Sequence, residues 1–191
     1  MKKVLVCTTG FGVMVLMSTL LAEEPRAGFV DFGKLPTTSG GEFVEVNLGR
    51  AVFAISGKLF EKSDPDFAKL VRGLELLQVN VVGLGEDNRA AIQEHVRKLR
   101  ADLTGKGWER IVSVREAKDD VAVFLKTRGE EAVEGLVVTV LDGTKEAVLI
   151  NIVGNIKPEQ IAMLGEKMNL DPLKKFHKAE KRAEKNKADA N

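Results

Sequence analysis

The residues able to do chemistry are few, and their spacing gives little for a reaction to use. Two paired acids stand out, Asp119-Asp120 and Glu130-Glu131. Adjacent carboxylates can serve general acid–base work or hold calcium. Neither pair sits in the alternating Asp/Asn-Gly ladder of a calcium loop, and turns favour Asp for backbone reasons. There are two histidines, His95 and His177. His95 has Glu86 and Glu94 nearby in sequence but no HExxH spacing, so it reads as a surface or boundary residue. Gly83-Leu84-Gly85 lies between a strand pattern and a helix pattern, where a phosphate loop would lie. The third glycine of a dinucleotide fingerprint is replaced by Asn88, and no Lys-Ser or Lys-Thr follows. No Gly-x-Ser-x-Gly elbow surrounds any serine. Trp108 is the sole tryptophan and tyrosine is absent, so no aromatic platform for sugars or bases is expected. Trp108 reads instead as a plug at a helix–strand junction. No catalytic, cofactor-binding or metal-ligating residue is assigned.

The chain has 191 residues, 44% hydrophobic and 30% charged, with a net charge of +1. Those proportions exclude disordered, collagenous and multi-span membrane classes. The charge balance gives no reason to expect a nucleic-acid partner. Residues 1–22 have the secretory pattern. Lys2 and Lys3 form a basic start, Val4 to Leu21 carries no charge, and Ala22 precedes Glu23-Glu24-Pro25. Cleavage is expected between Ala22 and Glu23, with a cut after Ala27 as the second choice. The alternative is an uncleaved inner-membrane anchor over residues 4–21, at the short end of what spans a bilayer. Cys7, the single cysteine, has no apolar run before it, so a lipid-modified cysteine is not expected. Cleavage at Ala22 leaves a mature chain without thiols or disulfides, which suits a bacterial periplasm or cell surface.

Residues 23–42 read as a linker whose Phe29 and Phe32 can tuck onto the body. From Phe43 the pattern is regular. Strands are expected at 43–47, 77–81, 109–116, 121–127, 133–141 and 145–153. The last two are apolar on both faces and should lie centrally. Leu48, Val52, Ile55 and Leu59 make a helical stripe expected to be buried. Asp64-Pro65 opens a second helix. Asp87 or Asn88 caps a third, with the stripe Ile92, Val96, Leu99, Leu103. Pro158 begins a fourth that buries Ile161, Leu164 and Met168. The fold class expected over residues 43–170 is α+β, a two-layer sandwich with a mostly antiparallel sheet of five to six strands and helices on one face. Residues 171–191 form a charged tail, helical or disordered. Of the whole-chain +1, the first 22 residues carry +2 and the tail +3, leaving the stretch between them at −4. Such a tail suits a weak contact with an anionic surface.

Three motifs in order carry a resemblance. Gly107-Trp108-Glu109 opens a strand ending Val114-Arg115-Glu116. Glu134-Gly135-Leu136-Val137-Val138 follows. Val148-Leu149-Ile150-Asn151-Ile152-Val153-Gly154-Asn155-Ile156 then runs into Pro158-Glu159-Gln160-Ile161. Over about residues 43–170 the chain resembles the bacterial exported family catalogued as domain of unknown function 4252. The resemblance implies a small envelope protein and transfers no site residue. The expected role is a non-enzymatic envelope module that binds another envelope protein through a sheet face, a strand edge or the tail. The alternatives are a small-molecule binder or hydrolytic enzyme assembled from acidic residues, and a membrane-anchored regulator of envelope signalling, the last because family members often accompany envelope-stress genes.

Overall fold

The structure, a computed structural model, describes residues 26–116, 119–129, 132–143 and 145–167. The expected leader, its cleavage point at Ala22 and Glu23, Glu130, Glu131, Met168 and the charged tail with His177 lie outside the described residues. The elements are β1 (Phe43–Gly49), α1 (Arg50–Phe60), α2 (Pro65–Gly73), β2 (Leu74–Gly83), α3 (Arg89–Gly105), β3 (Glu109–Arg115), β4 (Asp119–Arg128), β5 (Ala132–Asp142), β6 (Glu146–Ile156) and α4 (Pro158–Lys167). This is the element order expected from the sequence, in an α+β sandwich. The six strands lie in the order β1-β2-β6-β5-β4-β3, antiparallel throughout.

Local chemistry sets the element ends. The Asp64 side chain accepts the Phe67 amide at 3.1 Å, and Pro65 takes the first helical position of α2. Gly107, at φ +76°, turns the chain out of α3, and the Trp108 amide bonds back to the Leu103 carbonyl at 3.0 Å. Asn88 precedes α3, but its side chain does not cap the helix. Its Oδ1 accepts from the Gly85 amide, while its Nδ2 donates to the Gly83 and Pro36 carbonyls. The glycine turn at 83–85 is therefore tied to the linker rather than arranged around a phosphate.

Strands β5 and β6 are central and apolar on both faces, as expected. Leu136, Val138, Ile150 and Ile152 point to one face, called the front, and Val137 and Leu149 to the other, the back. Here the structure departs from the expected placement of helices on one face. Phe53 of α1, Leu70 and Val71 of α2, and Ile161 and Leu164 of α4 pack on the front. The α3 stripe Ile92, Val96, Leu99, Leu103 packs on the back with Phe32, Leu35 and Trp108. The reason is connectivity. Strands β2 and β3 run parallel and lie four places apart, about 19 Å at the usual strand spacing. The 17 residues of α3 span about 25 Å, enough to cross the whole back of β6, β5 and β4. A helical stripe shows which side of a helix is buried but not which side of the sheet receives it.

A second departure concerns α1. Of the expected stripe, Leu48 lies in β1 and packs against the front core, while Val52, Ile55 and Leu59 are exposed, Ile55 by 63% and Leu59 by 74%. Helix α1 packs on α2 by a different side, through Phe53 and Gly57. A Cβ on Gly57 would lie 2.5 Å from Arg72 Cγ and 3.3 Å from the Ala68 carbonyl, so the two helices touch here. Phe60 meets the Phe67 ring edge-on with centroids 5.0 Å apart.

The linker is not loose over 26–36. It runs across the back as a strap. Phe32 is buried and Phe29 remains exposed. Asn151, buried at the centre of β6, accepts the Val30 amide at 2.9 Å and donates to the Gly28 carbonyl at 3.0 Å and the Leu136 carbonyl at 3.3 Å. Gly28 and Gly135 permit the close approach. A Cβ on Gly135 would meet Gly28 Cα at 2.5 Å and the Trp108 ring at 2.6 Å.

Two outcomes follow. Gly135→Ala should lift the strap, cost about 1–3 kcal/mol as overpacking does, and shift the Trp108 emission to the red. An unchanged spectrum and melting temperature would contradict this packing. Asp64 also accepts from Lys167 Nζ at 2.7 Å, and that contact, with the Phe67 amide, lowers its pKa below 3.8. A lowered folded-state pKa contributes stability above the ordinary carboxylate value and loses it as pH falls through the lowered one. Asp64→Asn should therefore lower the melting temperature at neutral pH, with the difference from wild type vanishing in strong acid.

Candidate functional site

The sequence-level acids and histidine separate in the fold. Asp119 and Asp120 fall in β4 rather than in the turn before it. Asp120 Oδ1 holds Arg100 Nη1 at 2.7 Å while Arg100 Nε donates to Thr139 Oγ1 at 2.8 Å. With the Arg100 and Asp120 side chains only 14% and 28% exposed, this pair fastens α3 to the sheet, and Arg115 Nη2 lies 3.9 Å from the other Asp120 oxygen, so the carboxylate is committed to two cations. The His95 ring lies 2.8 Å from the Phe32 carbonyl through Nε2, fixing the strap to α3. Trp108 is buried between α3 and β3, the junction plug expected of it. Among the described residues no group of three or more His, Cys, Asp or Glu side chains is placed to share a metal. None of the helices described there is long and apolar enough to cross a membrane.

A groove of about 680 Å³ opens where β2 begins and β6 ends, lined by Arg50, Lys58, Glu61, Arg72, Glu75 and Asn155. Its arginines are engaged. Arg50 pairs with Glu75, and Arg72 pairs with Glu61 at 2.9 Å and donates to the Gly57 carbonyl. The groove is thus braced by its own ion pairs.

The front of the sheet is different. Its helices cover only the half towards Leu48, Leu77, Ile152 and Leu136. Following the register outward from there gives a row Val46, Val79, Ile150, Val138, Val123, Val112, and beyond it a row Val44, Val81, Val148, Val140, Val121, Val114. The outer row takes one valine from every strand. Each of its members is partly or well exposed, unlike Ile150, Val138 and Val123 of the inner row, which are buried. One step further out, the same alternation presents Glu42, Gly83, Glu146, Asp142, Asp119 and Glu116. Lys145 reaches Asp142 at 3.9 Å. Among the described residues the front is therefore a partly exposed valine floor about 25 Å wide, bounded by a helical wall on one side and an acidic rim on the other. The exposed α1 residues Val52, Ile55 and Leu59 add a second unpartnered apolar stripe. Exposed apolar area of this kind, framed by polar groups, marks interaction surfaces.

Alternation in the individual strands was readable in the sequence. The floor was not, because a strand's apolar face is assigned to the core unless one knows how far the covering helices reach.

A family model described as "Domain of unknown function (DUF4252)" matches residues 39–164. The chain belongs to this family, over nearly all of the region from β1 to α4. No curated protein matches the chain. No solved structure matches it either.

If the outer row is bare, truncation there should be mild. Val140→Ala is expected to cost under about 1 kcal/mol, and Val138→Ala, one step inward, about 2 kcal/mol or more. Equal losses in denaturant unfolding would show that something in the isolated chain already covers the floor.

Proposed function

We propose that this chain is an exported bacterial envelope protein that acts without catalysis, as a docking module for another envelope protein. The observation that carries the reading is the valine floor with its acidic rim. A row of six partly exposed valines leaves apolar area in water, and the register across six strands holds it in one continuous row. The partner that fits is a segment with an apolar stripe flanked by lysine or arginine. Such a segment lays its stripe on the valines and its charges against Glu116, Asp119, Asp142 and Glu146. An amphipathic helix in a groove is a common form of such recognition. The acidic rim adds steering and selectivity more than raw affinity.

Export is supported by the leader pattern of residues 1–22, with release after Ala22 into the periplasm or to the cell surface. A chain kept at the inner membrane by residues 4–21 would present the same floor as an anchored regulator. The basic tail supplies a weak additional contact with anionic surfaces.

A photo-reactive amino acid at Val121, in cells making the full chain, tests the reading. It should cross-link one stoichiometric envelope protein, and the yield should fall at least tenfold when Val140→Asp is added. The same probe at Ser113, on the far side of the sheet, should not trap that protein. N-terminal sequencing of the same sample should begin at Glu23. Equal products from both probes, or none from Val121, would sink the docking role. A retained Met1 would favour the anchored form.

A further inference from the structure

The two edges of the sheet are built differently, and one of them is suited to a second copy of this chain. Edge strand β3 is guarded. Its register with β4 shifts between Arg110 and Val112, a bulge, and it carries Glu109, Arg110 and Arg115. Bulges and charges are the usual means of keeping an edge from pairing. Edge strand β1 has neither defence. It pairs with β2 over seven consecutive residues without a shift. Its sequence, FVEVNLG, has one charge. Phe43, Val44 and Val46 are all exposed.

The backbone groups on its free side can be named. The Gly83 amide donates to the Glu42 carbonyl at 2.8 Å, which makes residue 42 a hydrogen-bonded partner of β2. By alternation Val44, Val46 and Leu48 also turn their amides and carbonyls towards β2. Phe43, Glu45, Asn47 and Gly49 therefore turn theirs outward, and no described strand meets them. An antiparallel pair about a two-fold axis at Val46 sets Glu45 opposite the partner's Asn47 and Phe43 opposite the partner's Gly49. Every outward group is then matched, with about eight inter-strand hydrogen bonds. The side chains match too. Asn47 Nδ2 already donates to Glu45 Oε1 at 2.7 Å within the strand. Across the axis the same amide and carboxylate face each other twice, and no like charges stand directly opposite. A two-fold contact of this sort is closed and self-limiting.

We infer that β1 pairs with β1 of a second copy, joining the two sheets into one of twelve strands with both valine floors on the same side. This holds whether or not the floor itself docks a partner.

The pairing predicts a specific cross-link. Across the axis Val46 forms a non-hydrogen-bonded pair with the partner's Val46, about 4.5 Å between Cα atoms, within disulfide reach. In the full chain carrying Cys7→Ser, Val46→Cys should form a covalent dimer on mild oxidation. Val44→Cys, whose two copies lie four residues apart along the strands, should form at least tenfold less. Sedimentation of the wild-type chain should give a dimer at micromolar concentration. Glu45→Pro removes one outward amide and no bond to β2, so it should give a folded monomer with an unchanged circular dichroism spectrum. A wild-type monomer at tens of micromolar, or Val46→Cys and Val44→Cys cross-linking equally, would overturn the proposal.

Discussion

The structure depends on two strands that have no polar side. In β5 and β6, Leu136, Val138, Ile150 and Ile152 face one way while Val137 and Leu149 face the other. Strands of this kind are unstable at an edge or beside water, so they occupy the centre of the sheet and need cover on both faces. The rest of the chain supplies that cover by separate routes. On the back, the long crossover α3 and the strap 26–36 close the face, pinned by the Arg100–Asp120–Thr139 contacts and by Asn151. On the front, the helices α1, α2 and α4 reach across only half.

The unequal cover has a simple origin. The back is crossed by one helix of 17 residues laid from β2 to β3. The front receives three helices of 9 to 11 residues, and α1 divides its buried side between the sheet, through Phe53, and α2, through Gly57. Among the described residues, what the helices leave uncovered is a row of valines with an acidic border. Valine has high strand propensity and a short side chain, which suits an ordered sheet surface. For the docking role proposed above, a surface ordered in advance reduces the entropic cost of binding.

Much of the fold was legible in the residues. Alternation and turn signals located the outer strands, and the two-sided apolar runs located β5 and β6 and placed them at the centre. Asp64-Pro65 located the start of α2. The assignment of helices to one face failed because amphipathicity carries no information about which face is met. The α1 stripe misled because the helix buries a different side: Gly57 and Phe53 make the contact while Ile55 and Leu59 are exposed. Asn151 was quoted only within a strand motif, yet it anchors the strap. A lone amide in an otherwise apolar run is the signal that could have marked it, since a buried amide needs hydrogen-bond partners. The valine floor depends on how far three helices extend over a sheet, a property of the assembled chain that no local pattern encodes.

The proposed docking requires the outer valine row to be accessible in the isolated chain and covered in the envelope. The most direct measurement is maleimide labelling of Val140→Cys in the Cys7→Ser chain, in the middle of the sheet and away from β1. Labelling is compared between the purified protein and intact envelopes, with Ser113→Cys on the opposite face as the reference. The account predicts rapid labelling of both positions in the purified protein, and in envelopes protection of position 140 with position 113 unchanged. Equal labelling of position 140 in both settings would contradict it.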